Sequence, residues 1–230
     1  LAAGVHDVVF SSSCSVNGTP AAVPVSEDAP IHPESVYAES KAMVERILHW
    51  CGQTTPLRSV ALRYFNAAGA SFDARIGEDW TYSQNLVPLA MKAVLLKDRR
   101  LKVFGNDYDT PDGTCIRDYI HVDDLADAHV RALDYLGSGG DTTVLNIGTG
   151  VGSSVLEVLE ATARAAGEDV PHDIMDRRPG DPVITYADAS LANATLGWRA
   201  RYGLIEIIDS AYAWHRQQVD RSLPRESQES

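Results

Sequence analysis

Apolar positions fall along this chain in short blocks whose period switches between strand-like and helix-like. Asp7-Val8-Val9-Phe10 is a short apolar run that ends in Ser11-Ser12-Ser13, the pattern of a buried strand running into a loop. From Ser11 to Glu34, Ser, Pro, Gly and Ala dominate and predict an irregular excursion. Val36 to Trp50 places Val36, Ala42, Met43, Ile47 and Trp50 in a helical pattern without internal Gly or Pro, with Gly52 as the expected stop. Ser59 to Tyr64 reads as a second strand, Leu86 to Leu96 as a helix, and Leu101 to Phe104 as a short strand before the turn at Gly105-Asn106-Asp107. Asp123 to Leu136 reads as a helix whose acidic first turn suits the helix dipole. Val144 to Ile147 is a strand ending at Gly148-Thr149-Gly150. Ser153 to Ala166 follows as a helix, capped by Ser153 or Ser154 and stopped by Gly167. Leu204 to Gln218 is a last helix, and residues 221–230 are expected to be a frayed polar tail.

Strands alternating with helices imply an α/β fold with a parallel sheet. A doubly wound sheet normally opens with a strand, whereas this chain opens on what reads as the end of a helix. The 230 residues, 44% hydrophobic and 23% charged, suit one large or two small globular domains. No apolar run approaches the roughly 18 residues of a membrane helix. The first residues lack the basic-then-apolar pattern of a secretory signal, so a cytoplasmic setting and no membrane partner are expected. Three widely spaced cysteines fit a reducing compartment and offer no metal-ligand spacing, so no metal is expected. Twenty basic against 32 acidic residues give a net charge of −12, which disfavours nucleic acid and leaves any bound phosphate to local groups.

Tyr37-Ala38-Glu39-Ser40-Lys41 sets a tyrosine and a lysine at i and i+4 on one helix face, where the ammonium favours the phenolate. Alone the spacing is near chance in a chain with nine tyrosines, and a surface helix pair explains it equally well. Ser13 adds weight: it closes a buried strand, and in parallel sheets ligands sit beyond the carboxyl ends of strands. A serine capping a turn is the plainer alternative.

Several further stretches make the chain recognisable. They are Leu62-Arg63-Tyr64-Phe65-Asn66-Ala67-Ala68-Gly69-Ala70, Gln84-Asn85-Leu86-Val87-Pro88, Val103-Phe104-Gly105-Asn106-Asp107-Tyr108, Ile116-Arg117-Asp118-Tyr119-Ile120-His121-Val122, Asn146-Ile147-Gly148-Thr149-Gly150 and Arg177-Arg178-Pro179-Gly180-Asp181. With Phe10-Ser11-Ser12-Ser13 and the Tyr37/Lys41 pair, and in this order, the sequence resembles the extended short-chain dehydrogenase/reductase family and, within it, the UDP-glucose 4-epimerases. The resemblance runs from about His6 to Arg216.

The resemblance implies part of an NAD-binding Rossmann domain over 1–66 and a smaller, mainly UDP-sugar-binding α/β domain over 67–220, with about 115–150 returning to the Rossmann part. It implies NAD as cofactor, UDP-glucose and UDP-galactose as substrates, and a homodimer built on helices that include the one carrying Tyr37. Ser13, Tyr37 and Lys41 match the catalytic serine, tyrosine and lysine. Tyr64 and Phe65 match residues beside the nicotinamide. Asn66 matches a diphosphate ligand, Asn85 and Leu86 residues at the nucleotide, and Lys102, Val103 and Phe104 a strand that holds the uracil. Arg117 and Arg178 match two arginines at the diphosphate, and Asp181 an acid at the uridine ribose. Thr185 matches a position that sets room around the sugar 2-substituent, where a small residue implies that N-acetyl UDP-hexosamines are accepted too. Read without the family, Arg117 pairs equally well with Asp118 or Asp123, Arg178 is a solvated loop residue, and Asn85 a helix-start residue. Tyr119 and His121 read as core.

Three departures matter. Asn17 stands where the family often has an aromatic that lines the site. Cys14-Ser15 stands where the family's 4,6-dehydratases carry Asp-Glu, which argues against a dehydratase; a decarboxylase on a glucuronic acid sugar stays open. The family's glycine-rich dinucleotide loop has no counterpart in these residues, and Gly148-x-Gly150-x-Gly152 lies too late in the chain to replace it. The 230-residue chain is therefore expected to bind NAD weakly or not at all, to expose sheet edge, and to be either an epimerase fragment or a catalytically silent UDP-sugar module. Calorimetric titration with NAD distinguishes weak from micromolar binding.

Overall fold

The computed structural model describes residues 3–97 and 99–222. Its strands are β1 (Asp7–Ser11), β2 (Arg58–Tyr64), β3 (Asn66–Ala68), β4 (Leu101–Phe104), β5 (Ile116–His121), β6 (Thr143–Ile147), β7 (Gly152–Ser154), β8 (His172–Met175) and β9 (Ile184–Thr185). Its helices are α1 (Val36–Thr54), α2 (Leu86–Leu96), α3 (Val122–Gly137), α4 (Val155–Ala166), α5 (Ser190–Leu196) and α6 (Leu204–Ser222).

β1, β2 and β6 form a parallel sheet in that order. Alternation along β2 gives the sheet two different faces. Val60 and Leu62 pack with Ala128, Ala132 and Leu136 of α3. Arg63, one residue on, points the other way, to Glu45 of α1. The second layer is built on β5, which pairs parallel with β3 and β9 and antiparallel with β7. Beside it β4 pairs parallel with β8. Helices α2, α4 and α6 pack on one another through Val87, Met91, Val158, Ala161, Ile207, Ile208 and Ala211. The parallel α/β architecture is the expected one.

Several boundaries differ from the pattern-based reading. Gly52 does not stop α1: the helix runs to Thr54. Thr55 ends it, because Pro56 forces the preceding residue out of helical geometry, and Thr55 N and Oγ1 both donate to Cys51 O. Ser154, not Ser153, caps α4, through a reciprocal box with Glu157. Helix α6 continues to Ser222, so Arg221 is helical where a frayed tail was expected; 223–230 lie outside the described residues. The faces of α1 are unequally covered. Its apolar residues Val36, Met43, Ile47 and Trp50 face outward, and Ala38 and Ala42 are its buried residues.

Two buried histidines bind the second layer to its surroundings. His121 Nδ1 accepts from Asp123 N (3.0 Å), which assigns the proton to Nε2 and its hydrogen bond to Ser210 Oγ (3.1 Å). His215 stacks on Trp80 with 4.5 Å between ring centroids, and its buried Nδ1 has no partner. Burial pushes both imidazoles below their ordinary 6.5, His215 to about 4 with help from Lys92. A depressed folded-state pKa means that the unfolded chain takes up the proton first. Stability is therefore full above about pH 6.5 and declines as pH falls towards 4, by about 3 kcal/mol from His215. Thermal denaturation at pH 7 and pH 4.5 should show the loss, and His215→Phe, which keeps the stack on Trp80, should lose less. Equal losses in both proteins would contradict this.

Candidate active site

The site grows from the carboxyl end of β1. Ser12 and Ser13 leave the strand, and Ser13 caps the short 3-10 turn Cys14–Asn17, its Oγ accepting from Ser15 N (3.2 Å) and Ser15 Oγ (2.9 Å). Ser35 caps α1 through Ala38 N (3.1 Å), so Tyr37 sits in the first helical turn. Tyr37 is 52% exposed, and among the described residues its hydroxyl has no hydrogen bond recorded to the protein. One turn later Lys41 Nζ donates to Ser11 O (2.8 Å) and lies 5.4 Å from the Tyr37 ring centroid and 5.1 Å from that of Phe10. One of its three protons is thereby placed and two stay available.

A cavity of about 450 Å³ brings together Ser13, Tyr37, Tyr64, Phe65, Asn66, Asn85 and Leu86, within the usual range for small-molecule sites. Asn85 precedes α2 but makes no capping hydrogen bond; its Nδ2 reaches Glu78 Oε1 at 3.4 Å. A second cavity of about 250 Å³ is lined by Asn66, Arg117, Asp181 and Thr185. Cys14, Ser15 and Asn66 line both, so the two spaces share a wall. Cys14 and Ser15 were weighed in the sequence only as a mark against dehydratases, yet they stand between the cavities. Burial pushes the Cys14 thiol up to about 12, which keeps it protonated there.

Arg117 donates to Ile116 O (2.8 Å) and, among the described residues, has no ion pair recorded with Asp118 or Asp123. The Thr185 Oγ1 is buried without a hydrogen-bond partner. Lys102, Val103, Phe104 and Arg178 line neither cavity. Val103, in β4, has its side chain in the core and lies in the ladder with β8 opposite Ile174; Lys102 is exposed. Arg178 is exposed and stacks on Phe104, its guanidinium carbon 3.7 Å from the ring centroid. The Cys115 thiol, pushed up by burial, also feels the charges of Arg117, Asp181 and Arg178.

Tyr119 is buried against Val87 and Met91 while touching the larger cavity, and His121 is core. Asn17 lines neither of these two cavities: its Nδ2 donates to Ala29 O (3.0 Å) and Pro30 O (3.1 Å), holding the 18–34 excursion closed. The Gly148–Gly152 turn spends its amides on a protein carboxylate. Thr149 N (2.9 Å) and Gly150 N (3.0 Å) both donate to Asp118. A Cβ on Gly148 would come within 2.5 Å of that carboxylate.

Two residues that sequence reasoning passed over stand out. Arg63 lies in an otherwise apolar strand, and a charge in such a place signals a buried partner, here Glu45. Asp118 is fully buried and takes four donors.

A parallel α/β sheet with a Ser, Tyr and Lys set beyond its strand ends is a dehydrogenase-like arrangement. The chain belongs to the NAD dependent epimerase/dehydratase family, whose model matches residues 1–148. It is 48% identical over 214 residues to the UDP-glucose 4-epimerase of Rhizobium leguminosarum bv. trifolii, covering 93% of this chain and 65% of that protein. It is 43% identical over 219 residues to that of Bacillus subtilis (strain 168), covering 94% and 65%. Among solved structures it is similar to the UDP-glucose-4-epimerase from Stenotrophomonas maltophila with bound NAD and formylated UDP-arabinopyranose (TM-score 0.93, 41% identity, 96% of this chain and 66% of that one). It is also similar to the UDP-Glc/GlcNAc 4-epimerase from Campylobacter jejuni (TM-score 0.78, 39% identity, 93% and 65%). The chain thus spans just under two thirds of the length of these relatives.

Proposed function

We propose that this protein works in an NAD-dependent UDP-glucose 4-epimerase, interconverting UDP-glucose and UDP-galactose. The observation that carries the reading is the pair of cavities sharing Cys14, Ser15 and Asn66: one holds Ser13 and Tyr37, the other Arg117 and Asp181. A sugar in the first and its diphosphate in the second make one continuous ligand.

The residues fit NAD: Lys41 has two spare donors above Tyr37, and Tyr64 and Phe65 offer aromatic wall. Ser13, Tyr37, Lys41, Tyr64 and Phe65 would hold its nicotinamide end. Bound there, the cofactor supplies the hydride acceptor and donor for sugar carbon 4. Tyr37 Oη takes the proton of the 4-hydroxyl and returns it once the 4-keto sugar has turned its other face. Ser13 Oγ orients that oxygen, and the Lys41 ammonium lies beside the Tyr37 ring, 5.4 Å from its centroid. Arg117 and Arg178 grip the diphosphate with Asn66. Asp181 takes the ribose. Asn85 and Leu86 stand at the nucleotide, and the β4 segment Lys102, Val103 and Phe104 at the uracil. The exposed Met43, Ile47 and Trp50 on α1 suit a homodimer face. A soluble cytoplasmic enzyme of galactose metabolism fits the absence, among the described residues, of any helix long and apolar enough to cross a membrane.

Assay of UDP-glucose conversion with added NAD tests the reading, with thermal protection by UDP and sedimentation mass read in the same preparation. Neither conversion nor protection would overturn it. Protection without conversion would favour a UDP-sugar-binding module.

Thr185 is small but lines the smaller cavity, so its role beside the sugar 2-substituent requires the sugar to reach the wall that the two cavities share. UDP-N-acetylglucosamine should turn over alongside UDP-glucose. Its strict rejection would remove Thr185 from this role.

A further inference from the structure

The acid/base helix is held by an unusual contact. Its buried residues are Ala38 and Ala42, and its larger apolar side chains Val36, Met43, Ile47 and Trp50 face away from the sheet. The fully buried part of its contact face is two methyl groups, flanked by half-buried Val44, Leu48 and Cys51, and offers little relief to fix the helix along its axis or about it. A step of one residue moves every side chain by 1.5 Å along the axis and about 100° around it.

Directional contacts come from two polar side chains: Lys41, which donates to Ser11 O, and Glu45, one turn further on. Its side chain and that of Arg63 on β2 are 9% and 6% exposed. Arg63 donates to Glu45 Oε2 from Nη2 (2.7 Å) and to Oε1 from Nε (3.0 Å), a two-pronged grip that fixes direction as well as distance. Ser12 Oγ donates to the same carboxylate at 2.5 Å. Ser12 is fully buried and immediately precedes Ser13. Arg63 Nη1 donates to Glu27 O (3.2 Å), which completes the clamp at the base of the excursion. One carboxylate thus ties the helix carrying Tyr37 to the strand end carrying Ser13.

We propose that Glu45, with Arg63 and Ser12, is a positioning device that sets the separation of Ser13 from Tyr37 and Lys41. Its effect on turnover rests on the epimerase reading; its effect on Tyr37 does not. A buried pair of this kind contributes uniqueness of arrangement more than stability, because hydrophobic residues of similar size often replace one without loss.

The test separates those two contributions. Glu45→Gln leaves Arg63 buried and unpaired and should lower Tm. Glu45→Met/Arg63→Met should recover it. With 3-fluorotyrosine incorporated and the Tyr37 line assigned through Tyr37→Phe, the unaltered protein should show one narrow fluorine resonance for Tyr37. The double variant should show it broadened or split at recovered Tm, with kcat for UDP-glucose down by about 10²-fold and KM little changed. Glu45→Asp, which keeps the charge on a shorter arm, should show the same signature more weakly and serves if the double variant fails to fold. A single unshifted Tyr37 line with unchanged kcat at recovered Tm would overturn the proposal. Absence of turnover in the unaltered protein would overturn the epimerase reading alone, and the fluorine line would still decide the clamp.

Discussion

Replacing Tyr37 with phenylalanine should lower epimerisation of UDP-glucose by about 10²–10⁴-fold, the range that a positioned acid/base contributes. The substitution is a clean one. The ring remains under Lys41, whose own hydrogen bond to Ser11 O is untouched. The hydroxyl that is lost has no bond recorded to the described protein, and the side chain is half exposed, so Tm should move little. KM should hold, because Arg117, Asp181 and Asn66 line the second cavity and do not depend on the phenol. Steady-state kinetics with UDP-glucose and NAD, beside a melting curve, check all three. Turnover within tenfold of the unaltered protein would show that some other group moves the proton, and Ser13 would be the next to examine. Lys41→Met is a less clean probe, since it also removes the tie to Ser11 O.

Elements with a clear period were legible in the sequence. β4 and α2 lie at the limits that their apolar spacing predicts, and β1, β2 and β6 differ by one residue at one end. What periodicity reports is that a helix has an apolar face, not what covers it. The spacing in α1 predicted the helix, while Val36, Met43, Ile47 and Trp50 of that stripe face outward. β3, β7, β8 and β9 are two to four residues long, too short for alternation to register. β5 is six residues long but interrupted by Arg117 and Asp118. Within the site, Ser13, Tyr37 and Lys41 were legible because they are close in sequence and chemically distinctive. Their supports were not. Glu45 meets Arg63 across 18 positions, and Asp118 meets Ala187 across 69, distances at which a single sequence carries no pairing signal. The clue available for Arg63 was its charge within an apolar strand.

Asp118 carries the second large effect. Its Oδ1 accepts from Thr149 N (2.9 Å) and Thr149 Oγ1 (2.6 Å), and its Oδ2 from Gly150 N (3.0 Å) and Ala187 N (3.1 Å). Asp118→Ala would strand these donors in the interior, at about 1–3 kcal/mol for each one left unsatisfied, less what the carboxylate's own burial cost. A net loss of about 3–5 kcal/mol is expected, visible as a Tm lower by about 10 °C or more. Asp118→Asn is the sharper case. An amide has the same shape, but whichever way it turns, its NH₂ group faces two groups that also donate. Asparagine should therefore destabilise nearly as much as alanine, contrary to what its size suggests. The damage should reach the site. Asp118 neighbours Arg117 on β5 and accepts from Ala187, two residues after Thr185, so it braces the adjacent strands β5 and β9, whose partners Arg117 and Thr185 line the second cavity. UDP should protect the Asp118→Asn protein from unfolding less than it protects the unaltered one. Thermal melts with and without UDP measure both effects; an asparagine variant as stable as the unaltered protein would mean that the four donors are satisfied elsewhere.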